Sequence, residues 1–251
     1  MLNKEELERY SRQILLFGRN AQDRLKESTV FVIGAGGLGN ACLPYLVGSG
    51  IGTIVLFDDD IVERHNLSRQ VCFQESHIGQ KKAEVLANIL QQQNPYCKVI
   101  AKARKFQLED VNSLPNCDAV LEGSDDISTK FLINKLAFQK KIPTWIGGLG
   151  PVQGHLIPVL PNQKNSACYQ CIFEKEPQSE IPTCATDGIL SPMVGVFGSL
   201  MAYETVAYLA GTITEFPITI LEKEQIRSLN IRPASHCPFH KNHNSDSRRN
   251  G

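Results

Sequence analysis

Two short motifs, far apart in the sequence, have the spacing of metal ligands. Cys168 and Cys171 form a C-x-x-C pair, and Cys237 and His240 form a C-x-x-H pair. Three thiolates and one imidazole suit a tetrahedral Zn²⁺, and such a site has no open position for a substrate. The spacing therefore predicts a structural zinc site that joins the end of the chain to its middle.

Two alternatives to this interpretation remain open. A redox-active C-x-x-C motif would explain the first pair, but it would give Cys237 and His240 no role. His236 or His243 could also replace His240 as the fourth ligand. The N-terminal residues are charged and lack the apolar region of a secretory signal, so we expect a cytoplasmic protein without disulfide bonds.

A glycine-rich segment, G-A-G-G-L-G at residues 34–39, lies between an apolar run and a predicted helix. Glycines in this pattern permit a tight turn, and the N-terminus of the helix that follows attracts phosphate. Asp58 ends the next apolar run, where a carboxylate can accept hydrogen bonds from ribose hydroxyls. A purely structural turn is the alternative, but the flanking strand and helix favour nucleotide binding.

Charged side chains follow the predicted strands at the edge where ligands bind in such sheets. Arg69 lies in the loop after Asp58, and Lys82 lies in the first turns of the next predicted helix. The chain has no G-x-x-x-x-G-K-[ST] motif, so a triphosphate would need separate basic residues and a metal. Asp125 could bind Mg²⁺, and Asp126 could instead cap the helix that follows it.

Cys184 lies in a proline-flanked loop just before a long apolar helix. A helix N-terminus lowers the pKa of a thiol and raises the fraction of thiolate. Cys184 could therefore be a nucleophile or a sulfur-transfer residue. An inert loop cysteine fits these local features equally well.

Apolar runs and amphipathic stretches alternate along the first 150 residues. The sequence predicts strands at 29–33, 53–57, 98–103, 118–121 and 143–147, and helices at 4–17, 38–47, 79–93 and 127–140. Such β-α-β repetition predicts an α/β fold with a Rossmann-like doubly wound, mostly parallel sheet.

After Gly150 the pattern changes. A strand at 154–160 and two strands at 218–222 and 225–231, a possible hairpin, should extend the same sheet in antiparallel orientation. Residues 1–240 would then form a single domain, and the polar residues 241–251 would form a disordered tail. The apolar stretch at 189–210 is interpreted as a core or subunit-contact helix, because Glu204 would be costly inside a membrane.

The charges of the chain are balanced. Lys and Arg together number 26, as do Asp and Glu, so the formal net charge is zero. A protein that binds nucleic acid or an anionic membrane through bulk charge needs a surplus of cations. We therefore expect neither nucleic acid nor a membrane as a partner.

These motifs together resemble the ThiF/MoeB/HesA family, which is related to the ubiquitin-activating enzymes. The resemblance runs from about residue 3 to residue 240. It rests on R-Y-S-R-Q-I-L-L at 9–16, G-A-G-G-L-G at 34–39, D-D-D-I-V-E-R-H-N-L-S-R-Q at 58–70, G-Q-K-K at 79–82, S-D-D at 124–126 and the paired metal ligands.

The resemblance implies an adenylyltransferase. In this family the C-terminal glycine carboxylate of a small ubiquitin-like protein attacks the α-phosphate of ATP and gives an acyl-adenylate and pyrophosphate. The expected cofactors are ATP, Mg²⁺ and Zn²⁺, and the expected partner is a sulfur-carrier protein ending in Gly-Gly. Adenylation would prepare this carrier for thiocarboxylate formation in thiamine or molybdopterin biosynthesis, and the C-A-T-D-G segment at 184–188 slightly favours the thiamine branch.

The resemblance also assigns roles to single residues. It implies nucleotide contacts for Gly37 and Asp58, and phosphate contacts for Asn66, Arg69 and Lys82.

The resemblance extends to further positions, two of which differ from the usual residue of the family. Asp125 matches the magnesium or catalytic position, whereas Asp126 stands where the family usually has asparagine and His240 where it usually has cysteine. Arg12 matches an arginine that reaches the ATP of the partner subunit, which implies a homodimer. Cys184 matches a cysteine used in sulfur transfer, with a sulfur donor protein as a further partner.

Two other functions remain open. A nicotinamide-dependent oxidoreductase would explain the glycine turn and Asp58, but it leaves Arg12, Arg69, Lys82 and the zinc ligands without a role. A non-catalytic binder of a ubiquitin-like protein is supported only by Asp126.

Overall fold

The computed structural model describes residues 1–113, 117–151, 153–163, 165–176, 188–222 and 225–240. The chain begins with three helices, α1 (Lys4–Arg9), α2 (Ser11–Phe17) and α3 (Arg19–Glu27). The prediction of one helix over 4–17 was wrong, because the backbone leaves the helical region at Tyr10, with φ −95° and ψ 9°. Tyr10 is buried, and its hydroxyl accepts a hydrogen bond from Asn94 Nδ2 at 2.8 Å. This anchor turns α2 away from the axis of α1.

Five strands form the parallel part of the sheet: β1 (Thr29–Ile33), β2 (Thr53–Phe57), β3 (Lys98–Lys102), β4 (Ala119–Glu122) and β5 (Thr144–Leu149). Their connections contain α4 (Gly37–Gly48), two 3₁₀ turns (Arg64–Asn66 and Glu75–His77), α5 (Lys82–Gln93), α6 (Leu108–Ser113) and α7 (Ile127–Lys140). In the sheet order β3-β2-β1-β4-β5, β2 and β3 lie on one side of β1, and β4 and β5 lie on the other. A crevice at the carboxyl ends of the strands is expected at such a switch point.

The C-terminal strands extend this sheet. They are β6 (Gln153–Val159), β7 (Ile218–Glu222) and β8 (Gln225–Leu229), and each pairs antiparallel with the strand before it in one eight-stranded sheet. Two further helices lie in the described part of this region, the single turn α8 (Tyr169–Ile172) and the long α9 (Ser191–Leu209). The predicted fold class is therefore confirmed, including the antiparallel extension and the hairpin of β7 and β8.

Helix α9 packs against α4 on one face of the sheet. A Cβ atom on Gly198 would lie 2.5 Å from Ala41 Cβ and 2.8 Å from Leu38 O, so glycine permits this close approach of the two helices. Glu204 is buried and accepts a hydrogen bond from Trp145 Nε1 at 2.9 Å. The apolar stretch is thus a core helix, and none of the described helices is long and apolar enough to cross a membrane.

Candidate functional site

A cavity of about 910 Å³ opens where β1, β2 and β4 end, and it continues over the face of the sheet toward β6 and β7. The residues that the sequence predicted for a nucleotide site come from three separate connections, which follow β1, β2 and β4. All of them line this cavity: Gly37, Asp58, Asn66, Arg69, Lys82, Asp125 and Asp126. The fold therefore brings the predicted nucleotide-site residues together in one place.

The glycine turn forms one wall of the cavity. Gly34 has φ +100°, and a Cβ atom there would lie 2.9 Å from Ser124 N, so both conformation and space require glycine. At Gly39 a Cβ atom would lie 2.0 Å from Gly34 O, which explains how α4 starts so close to β1. The turn thus presents main chain rather than side chains to the cavity.

Asp58 faces the glycine turn from the end of β2. One carboxylate oxygen accepts a hydrogen bond from Ala35 N at 2.7 Å, and the other accepts one from Asp60 N at 3.0 Å. Burial raises the pKa of Asp58, while these hydrogen bonds and the positive charge of Lys82 act in the opposite direction. The carboxylate is held in a fixed orientation between the turn and the cavity.

Lys82 and Arg69 supply positive charge to the cavity. Lys82 is the first residue of α5, and its buried ammonium lies 2.8 Å from the carboxylate of Asp60, whose side chain is 65% exposed. Helix α5 begins three residues later than the predicted helix at Gly79, where φ is +85°. Arg69 donates to the carbonyl of His65 at 3.1 Å. Both cations are thereby oriented by local contacts on the side of Asp58.

Asn66 and Asp126 use their side chains to shape loops. Asn66 is buried, and its Oδ1 accepts a hydrogen bond from Glu63 N at 2.9 Å within a 3₁₀ turn. Asp126 caps α7, as predicted: it accepts hydrogen bonds from Ser128 N at 3.0 Å and Thr129 Oγ1 at 2.9 Å. Asp125, by contrast, is exposed at the cavity. Of the two neighbouring carboxylates, Asp125 is thus the better placed to bind a metal.

An ion pair that the sequence analysis did not predict lies at the floor of the cavity. Lys130 and Glu122 are both buried and form a salt bridge, and Lys130 also donates to Ser124 O at 2.6 Å and Gly147 O at 2.7 Å. Burial raises the pKa of Glu122, and the charge of Lys130 counteracts this effect. The pair joins the ends of β4 and β5 to α7. In the sequence, only the position of Glu122 at the end of a predicted strand hints at this ion pair. That position does not show which cation pairs with it.

We expect Lys130→Met to lower the free energy of unfolding by about 3 kcal/mol, because it leaves Glu122 as an uncompensated buried charge. Urea unfolding would measure this loss. Lys135→Met changes an exposed lysine of the same helix and should have little effect. The double variant Glu122→Leu/Lys130→Met should recover most of the stability. A single variant as stable as the wild type would contradict this account.

The predicted metal ligands form a cluster beside α7. The sulfur of Cys168 lies 3.7 Å from that of Cys171 and 3.6 Å from that of Cys237, and His240 completes a group whose ligand atoms all lie within 4.8 Å of one another. A disulfide would need sulfurs about 2 Å apart, whereas tetrahedral ligands at zinc–sulfur distances of about 2.3 Å lie roughly 3.8 Å apart. The geometry therefore fits a metal ion.

The polar atoms of this cluster also fit a metal. His240 Nε2 is buried and has no hydrogen-bond partner among the described residues. A hydrogen bond from Cys168 lowers the pKa of the Cys171 thiol, and the thiolate is the form that binds zinc. His236 is exposed and lies 3.5 Å from Glu174 instead of in the cluster. His243 lies outside the described residues.

One other predicted residue, Arg12, is not brought to the cavity within this chain. Arg12 is exposed on α2 and does not belong to the described lining of the cavity. On the same helix Leu15 and Leu16 are 80% and 83% exposed. Cys184 and the predicted tail at 241–251 lie outside the described residues, so their predictions remain untested.

Comparisons with known proteins agree on one family. The sulfur carrier protein ThiS adenylyltransferase of Escherichia coli K12 is 34% identical over 251 residues, which span 98% of this chain and 99% of that protein. A sulfur carrier protein adenylyltransferase of Thermus thermophilus is 35% identical over 247 residues, 94% of this chain and 91% of that protein.

Solved structures agree with the fold. The crystal structure of E. coli MccB with ATP superposes with a TM-score of 0.77 at 25% identity, over 95% of this chain and 75% of that one. The model of the ThiF family matches residues 10–244. With a family model that spans nearly the whole sequence and relatives of the same length, this chain belongs to the ThiF family.

Proposed function

We propose that this protein adenylates the C-terminal glycine carboxylate of a small ubiquitin-like sulfur-carrier protein ending in Gly-Gly, with ATP as the second substrate. The observation that carries the proposal is the meeting of the glycine turn, Asp58, Arg69, Lys82 and Asp125 in one cavity. The two relatives described above are adenylyltransferases of sulfur-carrier proteins, which supports the same activity.

The proposed reaction does not require the protein to remove a proton from the nucleophile. An α-carboxylate has a pKa of about 3.5, so it is already ionised at neutral pH and needs no general base. It attacks the α-phosphorus of ATP, and the bond to the β,γ-pyrophosphate breaks. The obstacle is the repulsion between an anionic nucleophile and a polyanion. Positive charge at the phosphates is therefore the main catalytic requirement.

The residues of the cavity can meet this requirement. Asp58 would hold the ribose, and the main chain of the glycine turn would face the phosphates. Arg69 and Lys82 would bind the phosphates and stabilise the departing pyrophosphate, with Asn66 beside them. Mg²⁺, bound by Asp125, would supply further positive charge at the phosphates. A nicotinamide cofactor would give these cations no comparable role.

We propose a homodimer in which Arg12 of each chain reaches the nucleotide of its partner. The position of Arg12 outside the cavity lining of its own chain and the exposure of Leu15 and Leu16 beside it support this arrangement. Analytical ultracentrifugation tests it, since a monomer of 27.8 kDa at micromolar concentration would contradict the proposal.

We also propose a pathway for the carrier and a role for Cys184. The C-A-T-D-G segment and a relative that acts on ThiS support the thiamine branch. In that branch Cys184 would take part in sulfur transfer from a donor protein to the carrier. If Cys184→Ala transferred sulfur at the wild-type rate, this role would be ruled out.

The decisive experiment is ATP–pyrophosphate exchange with Mg²⁺ and a panel of carriers ending in Gly-Gly, each also tested without its last glycine. We expect exchange that depends on one carrier and on its terminal glycine, which would also identify the pathway. Lack of exchange with every carrier, by zinc-loaded protein that still binds ATP, would favour a non-catalytic binder.

A further inference from the structure

The cavity has a second half that the nucleotide-site residues do not explain. Beyond the ends of β1 and β2 it continues over β5, β6 and β7, where its wall is largely apolar. This wall includes Ile157, Phe173, Ile218, Ile220 and Ile231. His155, on β6, lies in the same wall.

The imidazole of His155 is held in place from several sides. Its ring centroid lies 5.0 Å from that of Phe173 and 5.8 Å from that of Tyr169. Gly148 is its cross-strand partner on β5, and a Cβ atom there would lie 2.6 Å from Cε1 and 2.8 Å from Nε2. A glycine at position 148 is thus required for the ring to lie where it does.

Neither nitrogen of this ring has a hydrogen-bond partner among the described residues, and one of the two is buried. Nε2 of His155 is buried and forms no hydrogen bond with any of the described residues. Burial, followed by the charge of Lys130, lowers the pKa of His155 to about 3, so the ring is neutral at physiological pH. Buried polar atoms in folded proteins nearly always have a hydrogen-bond partner. His155 lines the cavity, so a ligand that binds against this wall can supply that partner once the ring turns or its neighbours shift.

We infer that Nε2 of His155 hydrogen-bonds the main chain of the carrier protein's C-terminal tail and helps to select it. This inference rests on the proposed function, because a tail whose carboxylate attacks ATP must reach the nucleotide half from elsewhere in the cavity. Glycines have no side chains, so a Gly-Gly tail can be recognised only through its peptide N–H and C=O groups and its slender shape. A neutral imidazole in an apolar wall offers such a hydrogen bond without competing for the phosphates.

Two substitutions test this role through ATP–pyrophosphate exchange. His155→Leu keeps the apolar wall but removes the hydrogen bond, and we expect the KM for the carrier to rise roughly tenfold. The KM for ATP should stay unchanged, and the melting temperature should not fall, because an unpartnered buried nitrogen has been removed. His155→Gln is the matched control: its amide can both donate and accept, so it should retain a KM for the carrier within about threefold of wild type.

The outcomes separate this inference from the proposed function. Exchange by wild type combined with an unchanged carrier KM in His155→Leu would overturn the role of His155 alone. A His155→Gln variant whose KM for the carrier is as high as that of His155→Leu would also overturn it. That result would mean that the shape of the ring, rather than its hydrogen bond, is what matters. Wild-type protein without exchange on any carrier would overturn the proposed function and this inference with it. If His155→Leu does not fold, the ¹⁵N shift of the wild-type ring on carrier binding decides, because an unshifted Nε2 would contradict the contact.

Discussion

Lys82→Met should lower kcat for carrier-dependent ATP–pyrophosphate exchange about 10²- to 10³-fold. Lys82 is 5% exposed and lies in the cavity, where its ammonium would neutralise phosphate charge in the transition state. Methionine has a similar length and no charge, so packing around the side chain is largely kept. Its partner Asp60 is mostly exposed and can be hydrated in the variant, so we expect a melting temperature close to that of the wild type.

Asp60→Asn is the control that separates catalysis from structure. It removes the same ion pair but keeps the ammonium of Lys82. If the charge at the phosphates matters, Asp60→Asn should retain most of the exchange activity, whereas Lys82→Met should not. Equal losses in the two variants would mean that the ion pair itself, rather than the lysine, supports activity. Full activity in Lys82→Met would contradict the assignment of Lys82 to the phosphates.

Loss of the metal should have the largest effect on stability. We expect the purified protein to carry about one zinc ion per chain, and Cys237→Ser to lower both zinc content and melting temperature, the latter by about 10 °C or more. The cluster connects the segment at 237–240 to the segment at 168–171 beside α7, so its ligands are separated by a long stretch of chain. We therefore expect zinc binding to be coupled to folding of the C-terminal region.

Metal analysis and differential scanning calorimetry would check this prediction without reference to activity. Cys72→Ser is the matched control, because Cys72 is a free, partly buried cysteine outside the cluster. It should retain the full zinc content. Wild-type protein that contains no zinc, or a Cys237→Ser variant that melts with the wild type, would contradict a structural metal site.

The local features of this fold could be read from the sequence. The apolar run that ends at Gly34 and the one that ends before Asp58 predicted parallel strands whose carboxyl ends meet, and they do. The position of Asp126 before the predicted helix at 127–140 made it a candidate helix cap, because capping depends on residues only two or three positions apart. Likewise, the spacing within each cysteine motif sets the reach of its ligands around one ion.

Helix α3 and the break between α1 and α2 could not be predicted from neighbouring residues. Helix α3 was not predicted, since it is mostly polar and buries only Ala21, Gln22 and Leu25. The helix break at Tyr10 depends on Asn94, 84 residues away. At Tyr10 a distant contact thus accompanies a local conformation that the nearby residues leave open.

The sequence by itself determined which segments form the eight strands and the types of residue that could hold a nucleotide and a metal. Only the tertiary structure decided which side chains meet across strands. Lys130 finds Glu122 and Gly147 because β4, β5 and α7 converge, and His155 lies against Gly148 because of the register of β5 and β6. Register and strand order arise from packing of the whole chain, so no local spacing encodes these contacts.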